Sequence, residues 1–478
     1  MKNNVSVFSS CVPGSAFFLR KATHDPRAAA LSALSRVLAG EADAQEALDA
    51  VLQSPAMMPS DKGLCTELFY GHLRMYLRLQ WFSSRFLKKP EKLPWEMRLC
   101  LDQALYSLAG LRMPARAAVH WAVEHVRHRF GQRLGAVANG ALRSMQRELA
   151  SFRDVAFYRA AFPDALEAEA CWHSMPLWIV RLWHEAYGPQ KAGQLLELAG
   201  SSPPQGLRLN RSCSGWEKLR VSLLENREGD GDGRKAQAVG ACALWYAHSL
   251  PYEARRLVSE GRASRQSVAS YAALEAFEPR SWPVPVWDCC AGRGGKTMVL
   301  LEQGISVALV SDTSARRLKA LPLEYSRLGL SQPSCPPILM GSAAEAGKGE
   351  DAFRPLDPEA QALSLPERFG AILVDAPCSG LGTLSRHPEI RLRRSPEDIA
   401  QLAQLQAGIL DALWPRLESG GSLIYLTCTA SPAENEEQVA AFLERHPDAA
   451  CAQEYQGGEW ELLGEYFYGA MLRKDAGS

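Results

Sequence analysis

Two short apolar runs, Ala371-Ile372-Leu373-Val374 and Leu423-Ile424-Tyr425-Leu426, each stop just short of a cysteine. The first leads into Asp375-Ala376-Pro377-Cys378-Ser379-Gly380, the second into Thr427-Cys428 with Glu434-Asn435-Glu436 behind it. Such runs, bounded by polar residues, read as strands buried on both faces, the habit of parallel sheets. Both thiols then lie at strand C-terminal edges, where open parallel sheets bind their ligands. Two distant segments therefore converge on one pocket.

A third segment, Val286-Trp287-Asp288-Cys289-Cys290-Ala291-Gly292-Arg293-Gly294-Gly295-Lys296-Thr297, has the form of a strand, a glycine turn and a helix start. Glycines there let backbone amides approach a ligand closely. The next strand, Val307-Ala308-Leu309-Val310, runs to Asp312, about 20 residues beyond the glycines, the spacing at which an acid accepts hydrogen bonds from a ribose. Gly294-Gly295-Lys296-Thr297 also has the look of the end of a phosphate-binding loop. That loop needs a glycine where this chain has Cys290, so a nucleoside site is the better fit.

The chain has 478 residues, 47% of them hydrophobic and none in a long unbroken apolar run, which predicts about three domains and no membrane span. Residues 1–24 read as a disordered tail. Its 12 cysteines include no C-x-x-C pair, which speaks against structural zinc or a disulfide scaffold and for a reducing cytoplasm. Cys65, Cys100, Cys171, Cys242, Cys289 and Cys290 read as packing residues. Basic and acidic residues balance at 53 each, so bulk electrostatics cannot coat nucleic acid and any such contact needs local patches. Two are candidates: Arg386, His387, Arg391, Arg393 and Arg394, directly after the first cysteine motif, and Arg127, His128, Arg129 and Arg133. Glu225 to Lys235 and Ala346 to Glu367 read as exposed loops, and Asp230-Gly231-Asp232-Gly233 as a turn lacking the other ligands of a calcium loop.

Taken together, Asp375 to Gly380 with Gly382, Thr427-Cys428 with Glu434-Asn435-Glu436, Gly294-Gly295-Lys296-Thr297 and Arg327-Leu328-Gly329 resemble, in order, the motifs of the RNA cytosine-5 methyltransferases, the Nop2/Sun family, which use S-adenosylmethionine. The resemblance implies a doubly wound α/β, Rossmann-like methyltransferase domain at 266–478. Ahead of it, Pro26 to about Glu148 has helical apolar spacing, as at Ala29, Leu31, Leu34, Val37 and Leu38. Glu67 to Arg74, Ala117-Ala118-Val119 and Ala138 to Arg143 there resemble the all-α, RNA-binding NusB fold, placed at 25–150. That pairing resembles the bacterial branch of the family acting on small-subunit (16S) ribosomal RNA. A connecting region at 151–265 carries the similar strings Ser174 to Trp178 and Leu207 to Asn210.

The family chemistry implied is methyl transfer to C5 of a cytosine, a poor nucleophile until a thiolate adds to C6. The resemblance makes Cys428 that nucleophile, Cys378 the group that helps break the adduct, Asp375 the partner of the base's polar edge, and Lys296 a cation near methyl donor and base. It lines the S-adenosylmethionine site with Cys290, Ala291, Gly292, Arg293, Gly294, Gly295, Lys296, Asp312, Ser342 and Asp375. The partner implied is ribosomal RNA, with a monomeric enzyme needing neither metal nor membrane. Four departures stand out: Arg293 and an extra glycine replace a proline turn; Ser342 replaces an acid that contacts adenine; Ser267 replaces the acid of Gln-Asp; and Gly464-Glu465-Tyr466-Phe467 stands for Gly-x-Gly-Phe-Phe. Losing one hydrogen bond to a charged group costs about 1.5 to 3 kcal/mol, so weakened cofactor binding is expected. The alternatives are an RNA-binding assembly factor with a weakened cofactor site and an enzyme acting on transfer RNA.

Overall fold

The computed structural model describes residues 24–477 except 56, 112, 226–234, 248, 331–334, 349–352, 357–365 and 458–462. The expected tail and most of both expected loops lie outside the described residues. The chain forms two compact units, one made of residues up to Gly200 with His387–Arg393, the other of Ser201–Arg386 and Arg394–Ser478.

The first unit is helical: α1 (Pro26–Leu38), α2 (Ala44–Leu52), α3 (Pro59–Ser84), α4 (Trp95–Gly110), α5 (Ala115–Phe130), α6 (Gln132–Arg147), α7 (Leu149–Phe152), α8 (Val155–Ala161), α9 (Ala165–Trp172) and α10 (Leu177–Gly200). α1 begins where Asp25 accepts from the Arg27 amide with Pro26 in the first turn, a fixed start that needs no N–H. Residues at helical spacing bury into one core: Leu34 and Val37 of α1, Leu68, Phe69 and Leu73 of α3, Leu101 and Leu105 of α4, and Ala138, Ala141 and Leu142 of α6. Gly71 has a direct structural reason, since any Cβ there would overlap the ring of Tyr106, whose hydroxyl donates to Glu67 at 2.5 Å. α10 breaks at Gly188, whose φ is 74°, followed by Pro189.

The second unit runs β1 (Gln205–Leu209), α11 (Trp216–Glu225), β2 (Gln237–Val239), β3 (Ala243–Tyr246), α12 (Tyr252–Ser259), β4 (Ala263–Arg265), α13 (Val268–Glu275), β5 (Val286–Asp288), α14 (Gly295–Glu302), β6 (Val307–Asp312), α15 (Ala315–Leu318), α16 (Leu321–Arg327), β7 (Ile338–Gly341), β8 (Phe353–Pro355) and β9 (Phe369–Asp375). The short helix α17 (Ile390–Arg393) follows and belongs with the first unit; then come α18 (Pro396–Leu413), β10 (Leu417–Thr427), α19 (Glu436–Arg445), β11 (Ala449–Gln456) and β12 (Tyr468–Lys474). The main sheet has the order β11-β12-β10-β9-β5-β6-β7-β8. Its five central strands, β10 to β7, are parallel, and β12, β11 and β8 close the edges antiparallel. This is the doubly wound α/β architecture expected. Ala371 to Val374 and Leu423 to Leu426 pair directly and are fully buried, as continuous apolar strands in a covered parallel sheet must be.

The connecting region divides at Gly200: α8, α9 and α10 go to the first unit, while α11, α12 and a four-stranded antiparallel sheet, β2-β3-β1-β4, go to the second. Two motif residues fasten that sheet. Arg208 makes a buried two-pronged pair with Glu302 of α14, at 2.6 and 3.0 Å, and also donates to Gln266 and the Gly295 carbonyl. Arg327 donates to the carbonyls of Val258 and Ala263 at 2.7 and 2.9 Å and to Ser264 at 2.8 Å.

Candidate active site

The peptide leaving β9 carries Cys378 and the peptide leaving β10 carries Cys428, and because β9 and β10 are paired neighbours the two sulfurs stand 3.2 Å apart. The Cys428 amide also donates to the Cys378 sulfur at 3.4 Å. A dense set of buried polar groups fixes both loops. The Glu434 carboxylate accepts from the Ser379 amide at 2.8 Å and hydroxyl at 2.5 Å, and from Gln406 at 3.1 Å, while Gln406 also donates to the Pro377 carbonyl at 2.8 Å. Asn435 accepts from Thr427 at 2.6 Å and donates to the Thr429 carbonyl at 2.8 Å. Gly382 donates to the Cys428 carbonyl at 3.0 Å and accepts from the Tyr466 amide at 2.8 Å. The trailing Glu434-Asn435 string is thus a clamp across the two cysteine peptides.

Lys296, 8% exposed at the start of α14, forms a 2.6 Å ion pair with Asp375 at the end of β9, and its ammonium lies 5.5 Å from the centre of the Phe467 ring. The hydrogen bond with Cys378, then burial, then the negative charge of Asp375 push the Cys428 thiol well above its ordinary range; Lys296 pulls the other way. The thiol therefore rests protonated and unreactive in this state. All four residues expected to carry chemistry, Cys428, Cys378, Asp375 and Lys296, meet at one sheet edge.

The glycine turn joins β5 to α14 with φ of 58° at Gly292 and 82° at Gly294, values that favour glycine, and a Cβ at Gly294 would overlap Leu321. Asp312, buried at the end of β6, accepts from the Gly292 amide at 2.9 Å on one oxygen, and from the Ser314 amide at 2.8 Å and Arg317 at 3.1 Å on the other. The first oxygen keeps a lone pair for a ribose hydroxyl, so the residues present fit a nucleoside. Cys290, Ala291 and Gly292 are half-buried in the turn, Gly295 and Arg293 are exposed, and Ser342 is half-buried just past β7.

Asp288 was quoted in the sequence motif without a role. It is fully buried, accepts from Thr297 at 2.6 Å, and is pushed up to about 7 by burial and by the charges of Asp375 and Asp312, against the hydrogen bond from Thr297. The departures Ser267 and Glu465 meet: the Ser267 hydroxyl donates to the Glu465 carboxylate, and Arg386 pairs with the same oxygen at 3.0 Å.

Arg391, expected at an RNA surface, is instead a buried anchor. Its guanidinium donates to the carbonyls of Arg74, His173, Ser174 and Ala199, mostly at helix ends where carbonyls lack helical partners. Arg393 is held by Asp43 and the carbonyls of Val37 and Ala42, and Arg394 by the carbonyls of Ser379 and Cys378. His387 is half-exposed beside Glu389. An arginine cluster in sequence does not distinguish donors turned outward from donors that satisfy the fold.

Residues 276–464 match the family described as 16S rRNA methyltransferase RsmB/F, and residues 24–147 match the NusB family. The chain is 35% identical to ribosomal RNA small subunit methyltransferase B of Vibrio cholerae over 94% of its length and 97% of the relative. The chain belongs to the RsmB/F methyltransferase family. It is 31% identical to a probable ribosomal RNA small subunit methyltransferase B of Bacillus subtilis, over 88% of each chain. In fold it is similar to the crystal structure of PH0851, with a TM-score of 0.69 at 19% identity over 95% of this chain and 100% of that one. A methyltransferase homolog from Pyrococcus horikoshii gives a TM-score of 0.51 at 20% identity over 66% of this chain and 100% of that one. The cofactor of this family member is S-adenosylmethionine, and the residues available to hold it are the turn Cys290 to Lys296, Asp312, Ser342 and Asp375.

Proposed function

We propose that this methyltransferase of ribosomal RNA modifies C5 of a small-subunit cytosine through a covalent adduct on Cys428. The observation that carries the reading is the pair of thiols 3.2 Å apart beside the Lys296–Asp375 ion pair. Methylating an ordinary nitrogen or oxygen needs no thiol, whereas C5 of cytosine becomes nucleophilic only after addition at C6.

In this scheme the Cys428 sulfur bonds to C6 as its proton passes by way of the Asp375 carboxylate to N3, and the electron pair of the C5–C6 double bond moves into the ring toward C5 and N3. Asp375 accepts a hydrogen bond from the exocyclic amine, and Lys296 offsets the charge that develops on the ring. S-adenosylmethionine supplies an electrophilic methyl on a sulfonium when bound. The C5 proton then passes by way of the Cys378 sulfur to solvent, the double bond re-forms, and the sulfur of Cys428 leaves C6 and takes back the proton lodged on N3. The raised pKa of Cys428 suits this order, because a thiol kept protonated is inert until a base enters.

The target base must leave its stack, which costs a few kcal/mol and favours loops over regular duplex. Support for an RNA partner moves from the cluster after Cys378 to the helical unit. Residues 111–147 hold seven arginines and one acid, Glu124, in a chain whose charges balance as a whole. Arg133, Arg143 and Arg147 lie exposed along α6, which carries no acid, and phosphate backbones are met by such faces.

The test is transfer of tritiated methyl from S-adenosylmethionine to unmodified small-subunit ribosomal RNA, wild type against Cys428→Ala. Label at cytosine C5 that disappears in the variant is the expected result. Label on another atom, or label that persists in Cys428→Ala, overturns the covalent reading; label on transfer RNA alone moves the substrate.

A further inference from the structure

Two departures from the family pattern, far apart in sequence, meet in space. At position 267 the resembled pattern has an aspartate and this chain a serine; Gly464-Glu465-Tyr466-Phe467, with its glutamate, stands where that pattern has Gly-x-Gly-Phe-Phe. The Ser267 hydroxyl donates directly to the Glu465 carboxylate. Glu465 is 3% exposed, and the same oxygen receives Arg386 at 3.0 Å, whose guanidinium also donates to the Pro204 carbonyl at 3.2 Å.

Arg386 closes the turn that begins at Gly380, two residues after Cys378, its amide donating to the Thr383 carbonyl at 3.0 Å. Next to it, Ser385 donates to the Gly464 carbonyl at 2.6 Å. Tyr466 donates to Gly382, and Phe467 lies under the Lys296 ammonium. The segment Gly464–Phe467 therefore touches the Cys378 turn at three points and the catalytic lysine at a fourth. A buried carboxylate is stable only with its counter-charge and hydrogen bonds in place, and the partly exposed Arg386 supplies that charge. One acid is required here, and a second would crowd it.

We propose that Glu465 is a positioning residue that supplies, from the opposite wall, the carboxylate that the family pattern carries at 267, and through Arg386 holds the turn following Cys378. The two substitutions then form one relocated charge. On this account Ser267 is no gap in the cofactor site, because its hydroxyl serves the relocated acid and caps α13 by accepting from the Ser270 amide at 3.2 Å.

The inference rests on the proposed function only for its kinetic readout, so the experiment pairs that readout with two others: thermal melting, and the rate at which iodoacetamide labels Cys378 and Cys428. The full chain is used in a cycle of Glu465→Gln, Ser267→Asp and the double variant. Each single change should lower kcat/KM by about tenfold, the first by removing the charge and the second by doubling it, while the double variant returns to within about threefold of wild type. Melting temperature and labelling rate should follow the same pattern, both singles disturbed and the double restored. A purely structural glutamine defect would not be rescued by a new acid across the pocket. If Glu465→Gln is too unstable to purify, recovery of the double variant as a folded protein supports the relocation. Independent effects that multiply to about a hundredfold, an unfolded double variant, or an unperturbed Glu465→Gln overturns it. If wild type transfers no methyl, the melting and labelling cycle still decides this point while the proposed function falls.

Discussion

The two-cysteine half of the site and the glycine-turn half are built differently although they share one sheet. Around Cys378 and Cys428, the buried side chains of Ser379, Thr427, Thr429, Gln406, Glu434 and Asn435 are joined by hydrogen bonds, and each holds a backbone peptide or another side chain. Around the glycine turn the contacts are backbone amides, one carboxylate and exposed arginines. In the proposed scheme one sulfur must reach C6 and the other the proton on C5, and an over-determined frame holds both in place. A cofactor held by many weak contacts tolerates the loss of one. Of the departures from the family pattern, Arg293 and Ser342 lie on the glycine-turn side and Glu465 borders the turn after Cys378, while none falls on the Glu434–Asn435 clamp.

Breaking the frame should have the largest effect. Glu434→Ala leaves the Ser379 amide and hydroxyl and the Gln406 amide without their shared acceptor, at about 1 to 3 kcal/mol for each group stranded, so a melting temperature lower by at least about 5 °C and loss of methyl transfer are expected. Retained activity at full strength would show that the clamp does not matter. Cys378→Ala keeps the frame and removes one sulfur. It should accumulate a protein–RNA adduct visible as a retarded band in a denaturing gel, and an unshifted band with RNA and cofactor present would remove Cys378 from product release.

On the other side, Ser342→Asp restores an acid and should tighten S-adenosylmethionine binding by about five- to a hundredfold in a calorimetric titration. Unchanged affinity would mean that the cofactor half no longer uses that position. The smallest effect belongs to Asp288. Its carboxyl, ordinarily at 3.8, rises to about 7 in the fold, so the folded state binds the proton more tightly and loses stability as pH climbs through that window. Asp288→Asn should match wild type near pH 4 and melt about 2 to 4 °C higher near pH 8, and parallel curves would contradict the burial argument.

Much of this was legible in the chain. The strands, the glycine turn, Asp312 and the meeting of Cys378 with Cys428 follow from apolar runs that end in polar residues, because strand length and sheet direction dictate where such ends fall. The clamp was visible only as a string. Glu434 and Asn435 are near Cys428 in sequence, but their partners Ser379 and Gln406 are not, and no local pattern encodes a buried acceptor. Arg391 misled for a related reason: charge is a property of the residue, whereas exposure is a property of everything packed around it. Asp288 went unassigned because a carboxyl inside a strand looks like any other until its burial is known.

Gly382 lies between the Cys428 peptide and Tyr466, donating to the carbonyl of the first and accepting from the amide of the second. A single added carbon there would strike the Tyr466 carbonyl oxygen and approach that of Cys428 to 2.9 Å. The space between the Cys428 peptide and Tyr466 is thus gauged by a hydrogen atom. Even alanine, the mildest change in chemistry, would act here as a wedge, prising the Cys428 peptide from the strand-end segment that backs it.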